Sequence, residues 1–157
     1  MHFYDIDAIK NQEITVKNGF EEEYTALDGE TYQLEKEDIV ITNEGKPIGI
    51  AGIMGGDDSK IEETTTGIII EADIFNHVSI RNTSRRLNLG KDASVSYQKG
   101  SEPMANFKAM DRAVQLLMES DDATGIAETK KYGDNTYTTV DFELNLDRIN
   151  TLLSIAF

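Results

Sequence analysis

The sequence contains no cysteine, and only two histidines occur among its 157 residues. The absence of cysteine excludes disulfides, thiolate metal sites and thiol nucleophiles. The histidines lie too far apart in the sequence to form a helical pair of ligands, so we expect no local transition-metal motif. No apolar run approaches the roughly 18 residues that a membrane span needs, and we expect no signal peptide. We therefore expect a cytoplasmic protein without a membrane segment.

Positive charge is also scarce. The chain has 15 Lys and Arg against 29 Asp and Glu, which gives a net charge of −14. Non-specific binding to nucleic acid relies on clustered Lys and Arg, so the overall charge argues against it. The basic residues nevertheless gather between Arg81 and Lys99, which leaves room for a local basic patch. The length fits one domain, or one domain plus part of the next.

The first half of the sequence predicts β-structure. Residues 67–71 form a continuous apolar run, which predicts a strand that is buried on both faces. Asp28-Gly29 is a strong turn signal and predicts a hairpin over residues 24–34. The remaining predicted strands cover residues 13–16, 38–42 and 47–53, with a turn at 43–45.

The second half predicts two main helices. Asn76 is a good N-cap for a helix over about 76–89, with Gly90 as its C-terminal stop. A second helix is predicted over about 103–119, where an apolar stripe should face the core: Phe107, Met110, Val114 and Leu117. A strand over 136–144 and a helix over 146–153 follow. The fold class is therefore α+β, with antiparallel sheets in the N-terminal half and the two helices packed on them.

Glu71 ends the apolar strand and is the most informative single residue. Because it follows three isoleucines, its carboxylate is expected at the mouth of an apolar space. An ionised carboxylate there only accepts hydrogen bonds, and it must find donors or lose its charge. The alternative is a strand that ends at the surface with Glu71 solvated.

A glycine-rich loop precedes this strand. Gly52, Gly55 and Gly56 allow positive φ and the close approach of a ligand or another backbone segment. The alternative is a β-bulge or a tight turn between strands. It is not a phosphate-binding loop, because the Gly-Lys-Ser/Thr ending and the following helix are missing.

Three arginines lie on or near one side of the first predicted helix. Arg81 and Arg85 are one turn apart, and Arg86 follows them. Arginine at such positions can hold phosphates bidentately, so contact with RNA or with another subunit is one interpretation. Pairing with the surplus of acids is the other. No serine has a nearby histidine, so no catalytic nucleophile with its base is predicted.

Taken together, these segments resemble the beta chain of bacterial phenylalanyl-tRNA synthetase, in collinear order over almost the whole chain. The motifs that carry the resemblance are His2-Phe3-Tyr4-Asp5, Leu27-Asp28-Gly29, Ala51-Gly52-Ile53-Met54-Gly55-Gly56, Glu62-Glu63-Thr64-Thr65, Glu71-Ala72, Val78-Ser79-Ile80-Arg81, Arg85-Arg86-Leu87, and Ala93-Ser94 leading through Tyr97 and Lys99-Gly100 to Pro103.

The resemblance implies that residues 1–140 are the B3/B4 editing domain, that 141–157 begin the following module, and that the chain is a piece of that beta chain. In the family, this domain hydrolyses tyrosine wrongly attached to tRNA(Phe). The parent ligase charges tRNA(Phe) with phenylalanine, using ATP and Mg; no cofactor is implied for this piece. The implied partners are the acceptor end of tRNA(Phe), tyrosine or phenylalanine as a ligand, and the alpha subunit of the parent heterotetramer.

The resemblance also implies an editing pocket. Glu71 matches the acceptor of the tyrosine hydroxyl, and Ala93 matches a small residue that limits the pocket. Further pocket positions are His2, Gly52 and Gly55. Lys91 stands where relatives often carry threonine, and its amine could reach phosphate or pair with Glu71.

The selectivity expected of such a pocket follows from one hydroxyl. An apolar pocket cannot strongly reject an added hydroxyl, whereas a second site can reward it. Tyrosine would donate to Glu71, and phenylalanine would leave the carboxylate unpaired, which corresponds to roughly 5- to 150-fold discrimination. Two rival functions remain open: a module that docks the catalytic alpha chain, and an RNA-binding module without hydrolytic activity.

Overall fold

Short antiparallel strands fill the first 71 residues of the computed structural model, and helices follow. The structure describes residues 1–90, 92–100, 102, 104–120, 122–133 and 140–154. The strands are β1 (His2–Asp5), β2 (Thr15–Lys17), β3 (Glu23–Thr25), β4 (Thr31–Gln33), β5 (Val40–Asn43), β6 (Lys46–Ile50), β7 (Met54–Gly55) and β8 (Ile68–Glu71). The helices are α1 (His77–Arg86), α2 (Asp92–Gln98), α3 (Ala105–Glu119) and α4 (Leu146–Leu153). The predicted α+β class is confirmed.

The strands form three antiparallel sheets. The largest has the order β2-β5-β6-β7, and the other two pair β1 with β8 and β3 with β4. Glu44 and Gly45 have φ of 48° and 79° and form the two-residue turn between β5 and β6, as predicted. The predicted hairpin turn is also confirmed, since Gly29 has φ of 80° and its N–H donates to the carbonyl of Ala26.

Strand β8 differs from its prediction. Its three isoleucines are only partly buried, whereas Glu71 is buried. The cause is the topology, because β8 pairs with β1 in a two-stranded sheet instead of lying inside a larger one. The prediction from the continuous apolar run, that both faces of this strand are buried, is therefore wrong.

Helix α1 begins as predicted and ends earlier. The Asn76 side chain accepts from the N–H groups of Val78 and Ser79 at 3.0 and 3.2 Å. At the other end Asn88, with φ of 55°, takes the left-handed position that was predicted for Gly90. The N–H of Leu89 donates to the carbonyl of Ser84 at 2.9 Å, which completes a Schellman-type end. The Leu89 side chain is buried.

Helix α3 also differs in its packing. Its bounds lie close to the prediction, but none of its residues is buried. The apolar stripe is half-buried: Phe107, Met110, Val114 and Leu117. The prediction that this face belongs to the core of the chain is therefore wrong, because α3 keeps partial access to solvent.

The chain divides into two compact units, Met1–Ala127 and Glu128–Phe157. In the second unit α4 is confirmed, with Asn145 as its N-cap accepting from the N–H of Arg148 at 2.9 Å. The predicted strand over 136–144 is wrong where it can be compared, because residues 140–144 form no strand. Residues 134–139 lie outside the described residues.

A buried acid ties α1 to the sheets of the first unit. The Asp38 side chain is 3% exposed, and it accepts from the Thr83 hydroxyl at 2.6 Å and from the Glu35 N–H at 2.8 Å. The Arg86 guanidinium completes this shell through an ion pair with Asp38. One carboxylate thus satisfies three donors, two of them from α1 and one from the backbone just before Asp38.

We expect Asp38→Ala to lower the free energy of unfolding by about 2–4 kcal/mol, since it strands a buried hydroxyl and a partly buried guanidinium. Glu119→Gln is the control, because its ion pair with Arg112 is exposed on both sides and should change stability by less than about 0.5 kcal/mol. Urea unfolding of both variants checks this. Equal stabilities would contradict the structural role of Asp38.

Candidate functional site

One cavity of about 160 Å³ collects most of the residues that the sequence singled out. It is lined by residues from β1, β5, β6, β7, β8 and α2. His2, Gly52, Gly55, Glu71 and Ala93 all contribute to its wall. Residues distant in the sequence therefore meet at one place.

The Glu71 carboxyl lies in the wall of this cavity and is not solvated. The residue is 9% exposed, which excludes the alternative of a strand that ends in open solvent. Its Oε2 accepts from the Tyr4 hydroxyl at 2.5 Å. The sequence indicated that this carboxylate needs a donor but did not identify Tyr4 as that donor.

Burial raises the pKa of Glu71 to about 7. The hydrogen bond from Tyr4 acts in the opposite direction, because it stabilises the ionised form, and the nearby carboxyl of Asp73 raises the pKa further. Burial also raises the pKa of Asp73. Near neutral pH, Glu71 therefore exchanges between an acid that can donate a hydrogen bond and a carboxylate that only accepts.

Tyr4 is a permanent donor to this carboxyl. Its side chain is 1% exposed, and burial together with the Glu71 charge raises the pKa of its phenol well above the ordinary value. The His2 ring meets the Tyr4 ring edge-on, with centroids 4.5 Å apart. A Cβ at Gly49 would lie 3.4 Å from the hydroxyl, which is an ordinary van der Waals distance.

His2 fills the space beside Gly55. A Cβ at Gly55 would lie 2.3 Å from Nε2 of His2, so any larger residue would collide with the imidazole. Burial lowers the pKa of His2, with a smaller contribution from the positive N-terminus. Both effects favour the neutral ring at neutral pH.

Gly52 and Tyr97 form another part of the wall. Gly52 has φ of 64°, and a Cβ there would lie 2.9 Å from the Tyr97 ring. Tyr97 also contacts Phe75, with ring centroids 5.6 Å apart, and burial raises the pKa of its phenol to about 12. The loop is thus a tight turn between β6 and β7 and a cavity wall at once, which reconciles both interpretations of its glycines.

Helix α2 carries Ala93 and Tyr97 and was not predicted. The carbonyl of Leu89 accepts from the hydroxyls of Ser84 and Ser94 at 2.9 and 3.0 Å, which fixes α2 against the end of α1. These long-range contacts leave no periodic signal in seven residues. Lys91 lies outside the described residues, so its predicted role stays a prediction.

The three arginines separate into two environments. Arg86 pairs with Asp38 and Glu35 and donates to the Gln33 carbonyl at 2.9 Å. Its guanidinium therefore has acidic partners within the fold, which was the alternative interpretation. Arg81 is half-buried and Arg85 is exposed.

The described residues contain no group of three or more His, Cys, Asp or Glu side chains that could hold a metal ion. In the same part of the chain, no helix has the length and apolar character needed to cross a membrane.

We expect Gly55→Ala to push the His2 ring out of the cavity wall, at a cost of about 1–3 kcal/mol in stability. Because burial lowers the pKa of His2, greater exposure should raise that pKa towards its ordinary value of 6.5. An NMR titration of the imidazole protons measures the change. Gly90→Ala is the control, since a Cβ there meets open space; equal His2 titrations in the two variants would contradict the geometry.

Comparison with known proteins places the chain in a family. A family model described as the B3/4 domain matches residues 1–122. The phenylalanine–tRNA ligase beta subunit of Staphylococcus haemolyticus (strain JCSC1435) is 39% identical over 151 residues, which cover 96% of this chain and 19% of the relative. The same subunit of Staphylococcus aureus (strain N315) is 40% identical over the same shares. This chain thus spans about a fifth of the length of these curated relatives, and it belongs to the B3/4 domain family.

Proposed function

We propose that this chain carries an editing site, which hydrolyses the ester between tyrosine and tRNA(Phe) within a phenylalanine–tRNA ligase. The observation that carries the proposal is a titratable carboxyl, Glu71, buried in the wall of a cavity whose other walls are glycine, aliphatic and aromatic groups. Such a cavity suits an aromatic side chain that has one polar group to be recognised. The similarity to the two beta subunits supports the same assignment.

Glu71 would distinguish tyrosine from phenylalanine through the ligand hydroxyl. The sequence alone suggested that phenylalanine would leave the carboxyl without a partner. Tyr4 already donates to one of the carboxyl oxygens, however, so the carboxyl keeps a hydrogen-bond partner when phenylalanine is bound. The penalty for phenylalanine is therefore smaller than that of an unpaired charge. One additional hydrogen bond to the carboxylate corresponds to about tenfold preference for tyrosine.

The chemical step in this proposal uses backbone groups and water. The hydroxyls of Ser84 and Ser94 both donate to the Leu89 carbonyl, so attack by water on the ester carbonyl is favoured over a covalent intermediate. Backbone N–H groups of the cavity wall are the groups we propose to stabilise the developing oxyanion. A hydroxyl of the terminal ribose is the group we propose to orient the water.

The parent ligase supplies the remaining partners in this proposal. They are the tRNA acceptor end, the alpha subunit, and ATP with Mg at a separate site. In this proposal the ligase acts in the cytoplasm, in protein biosynthesis. Arg81 and Arg85 are the residues we propose to contact RNA or the other subunit, since Arg86 is occupied by acids.

A docking module is the second candidate function. It is favoured by the half-buried apolar stripe on α3, which includes Phe107 and Leu117. Partner surfaces commonly bury such stripes. This function and editing are compatible, so the experiment must measure hydrolysis itself.

We expect Glu71→Ala to reduce the ratio of tyrosyl-tRNA(Phe) to phenylalanyl-tRNA(Phe) hydrolysis about tenfold, because the hydroxyl loses its acceptor. Hydrolysis of both esters by this chain is measured with Glu63→Gln, an exposed acid on a loop, as the control. Circular dichroism verifies that the variants are folded. An unchanged ratio in folded Glu71→Ala, or no hydrolysis by the wild type, would overturn editing in favour of docking.

A further inference from the structure

Tyr4 is the buried polar group of the cavity that the proposed reaction leaves without a role. It is 1% exposed, it belongs to β1, and its hydroxyl is a direct hydrogen-bond partner of Glu71. We propose that Tyr4 is a positioning residue for tyrosine selectivity, which holds the Glu71 carboxylate towards the cavity as an ionised acceptor. This inference rests on the proposed editing function and names a residue on which that function depends.

Strand register brings the two side chains together. His2 lies opposite Glu71 and Tyr4 lies opposite Ile69 in the antiparallel pair of β1 and β8. Because side chains alternate between faces, His2, Tyr4, Ile69 and Glu71 share one face of this sheet. Tyr4 is thus the diagonal neighbour of Glu71, at a spacing that a tyrosine side chain can bridge.

The Tyr4 ring has little freedom to move away from this position. His2 packs edge-on against it, and its hydroxyl lies 3.4 Å from the position that a Cβ would take at Gly49, which is an ordinary van der Waals distance. The ring belongs to the buried core, and its hydroxyl already donates to the carboxyl without a ligand. The donor is therefore preorganised.

The other charged and titratable groups around Glu71 favour or oppose its ionised form. The Asp73 carboxyl follows β8 and disfavours a second negative charge, while the positive N-terminus of Met1 favours it weakly. His2 and the protonated phenol of Tyr97 complete the surroundings from β1 and α2. Among these groups, the Tyr4 hydrogen bond gives the largest contribution in favour of the ionised form.

The ionisation state decides what the cavity can recognise. A neutral carboxylic acid can donate a hydrogen bond as well as accept one, whereas a carboxylate only accepts. A charge-assisted hydrogen bond from a ligand phenol is roughly twice as strong as a neutral one. Loss of the Tyr4 donor should therefore keep Glu71 protonated to higher pH and weaken the preference for a phenol at neutral pH.

The test compares Tyr4→Phe with Tyr24→Phe in this chain. Tyr24 is the matched control, because its phenol is also buried (7% exposed) and its hydroxyl has no hydrogen-bond partner among the described residues. Calorimetry measures the affinities for tyrosine and phenylalanine between pH 6 and pH 9. The ratio of the two affinities cancels the titration of the amino group that both ligands share.

We expect the wild-type preference for tyrosine to rise through a midpoint near pH 7, the pKa of Glu71. Tyr4→Phe should lower the preference at pH 7 about fivefold and move the midpoint up by about one to two pH units, because a hydrogen bond to a charged group is lost. At pH 9 the preference should recover at least in part. Tyr24→Phe should match the wild type.

Two results separate failure of this inference from failure of the proposed function. A wild type that binds both ligands equally, or neither, overturns the proposed function and the inference with it. A wild type that prefers tyrosine, with the same ratio and midpoint in Tyr4→Phe, overturns the inference alone. If Tyr4→Phe does not fold, 3-fluorotyrosine at position 4 replaces it. Its phenol is a stronger donor of similar size, so the pH midpoint of the tyrosine preference must fall. An unchanged midpoint overturns the inference.

Discussion

The hydrogen bond between the Tyr4 hydroxyl and the Glu71 carboxyl is the interaction on which the cavity depends. A carboxylate removed from water without a donor costs several kcal/mol, and the chain meets that cost with a phenol held in the core by β1. The acid can therefore lie in an apolar wall and still be ionised in part at neutral pH. Without this bond, Glu71 would either be protonated and leave the cavity neutral, or stay charged without a donor and destabilise the fold.

Shape around this bond is set by positions that lack a side chain. His2 needs the space at Gly55, and Tyr97 needs the space at Gly52. The rings of His2, Tyr4 and Tyr97 thus line the cavity, and the backbone of one loop comes close to two of them, His2 and Tyr97. Farther away, the shell around Asp38 fixes α1, and α1 in turn packs against α2, which carries Tyr97.

Local signals in the sequence predicted much of the fold. Asn76 as an N-cap, Asp28-Gly29 as a turn and the end of a strand at Glu71 each depend on a few neighbouring residues, and each was found. The burial of β8 and of the α3 stripe was predicted wrongly, because burial depends on how many elements cover a face. Asn88 replaced Gly90 at the end of α1 for a similar reason: the buried position of Leu89 determined where the chain had to turn.

The candidate site was predictable only in part. The sequence indicated that Glu71 needs a donor, and the family resemblance named five residues that meet at the cavity, but neither identified Tyr4 or Asp73 as the groups that tune the acid. The effect of Tyr4 arises from pairing of β1 with β8 across more than sixty positions, which no local pattern encodes. Helix α2 was missed because its seven residues are fixed by the Leu89 carbonyl and not by an apolar period.

A crystal structure of this chain soaked with tyrosine, and a second one soaked with phenylalanine under the same conditions, would examine the carboxyl and the cavity together. The ring of tyrosine should occupy the cavity with its phenol oxygen within hydrogen-bonding distance of the Glu71 carboxyl, and phenylalanine should be bound at lower occupancy. Tyrosine bound elsewhere, or bound with its phenol directed away from Glu71, would contradict the assignment of this acid as the group that recognises the hydroxyl.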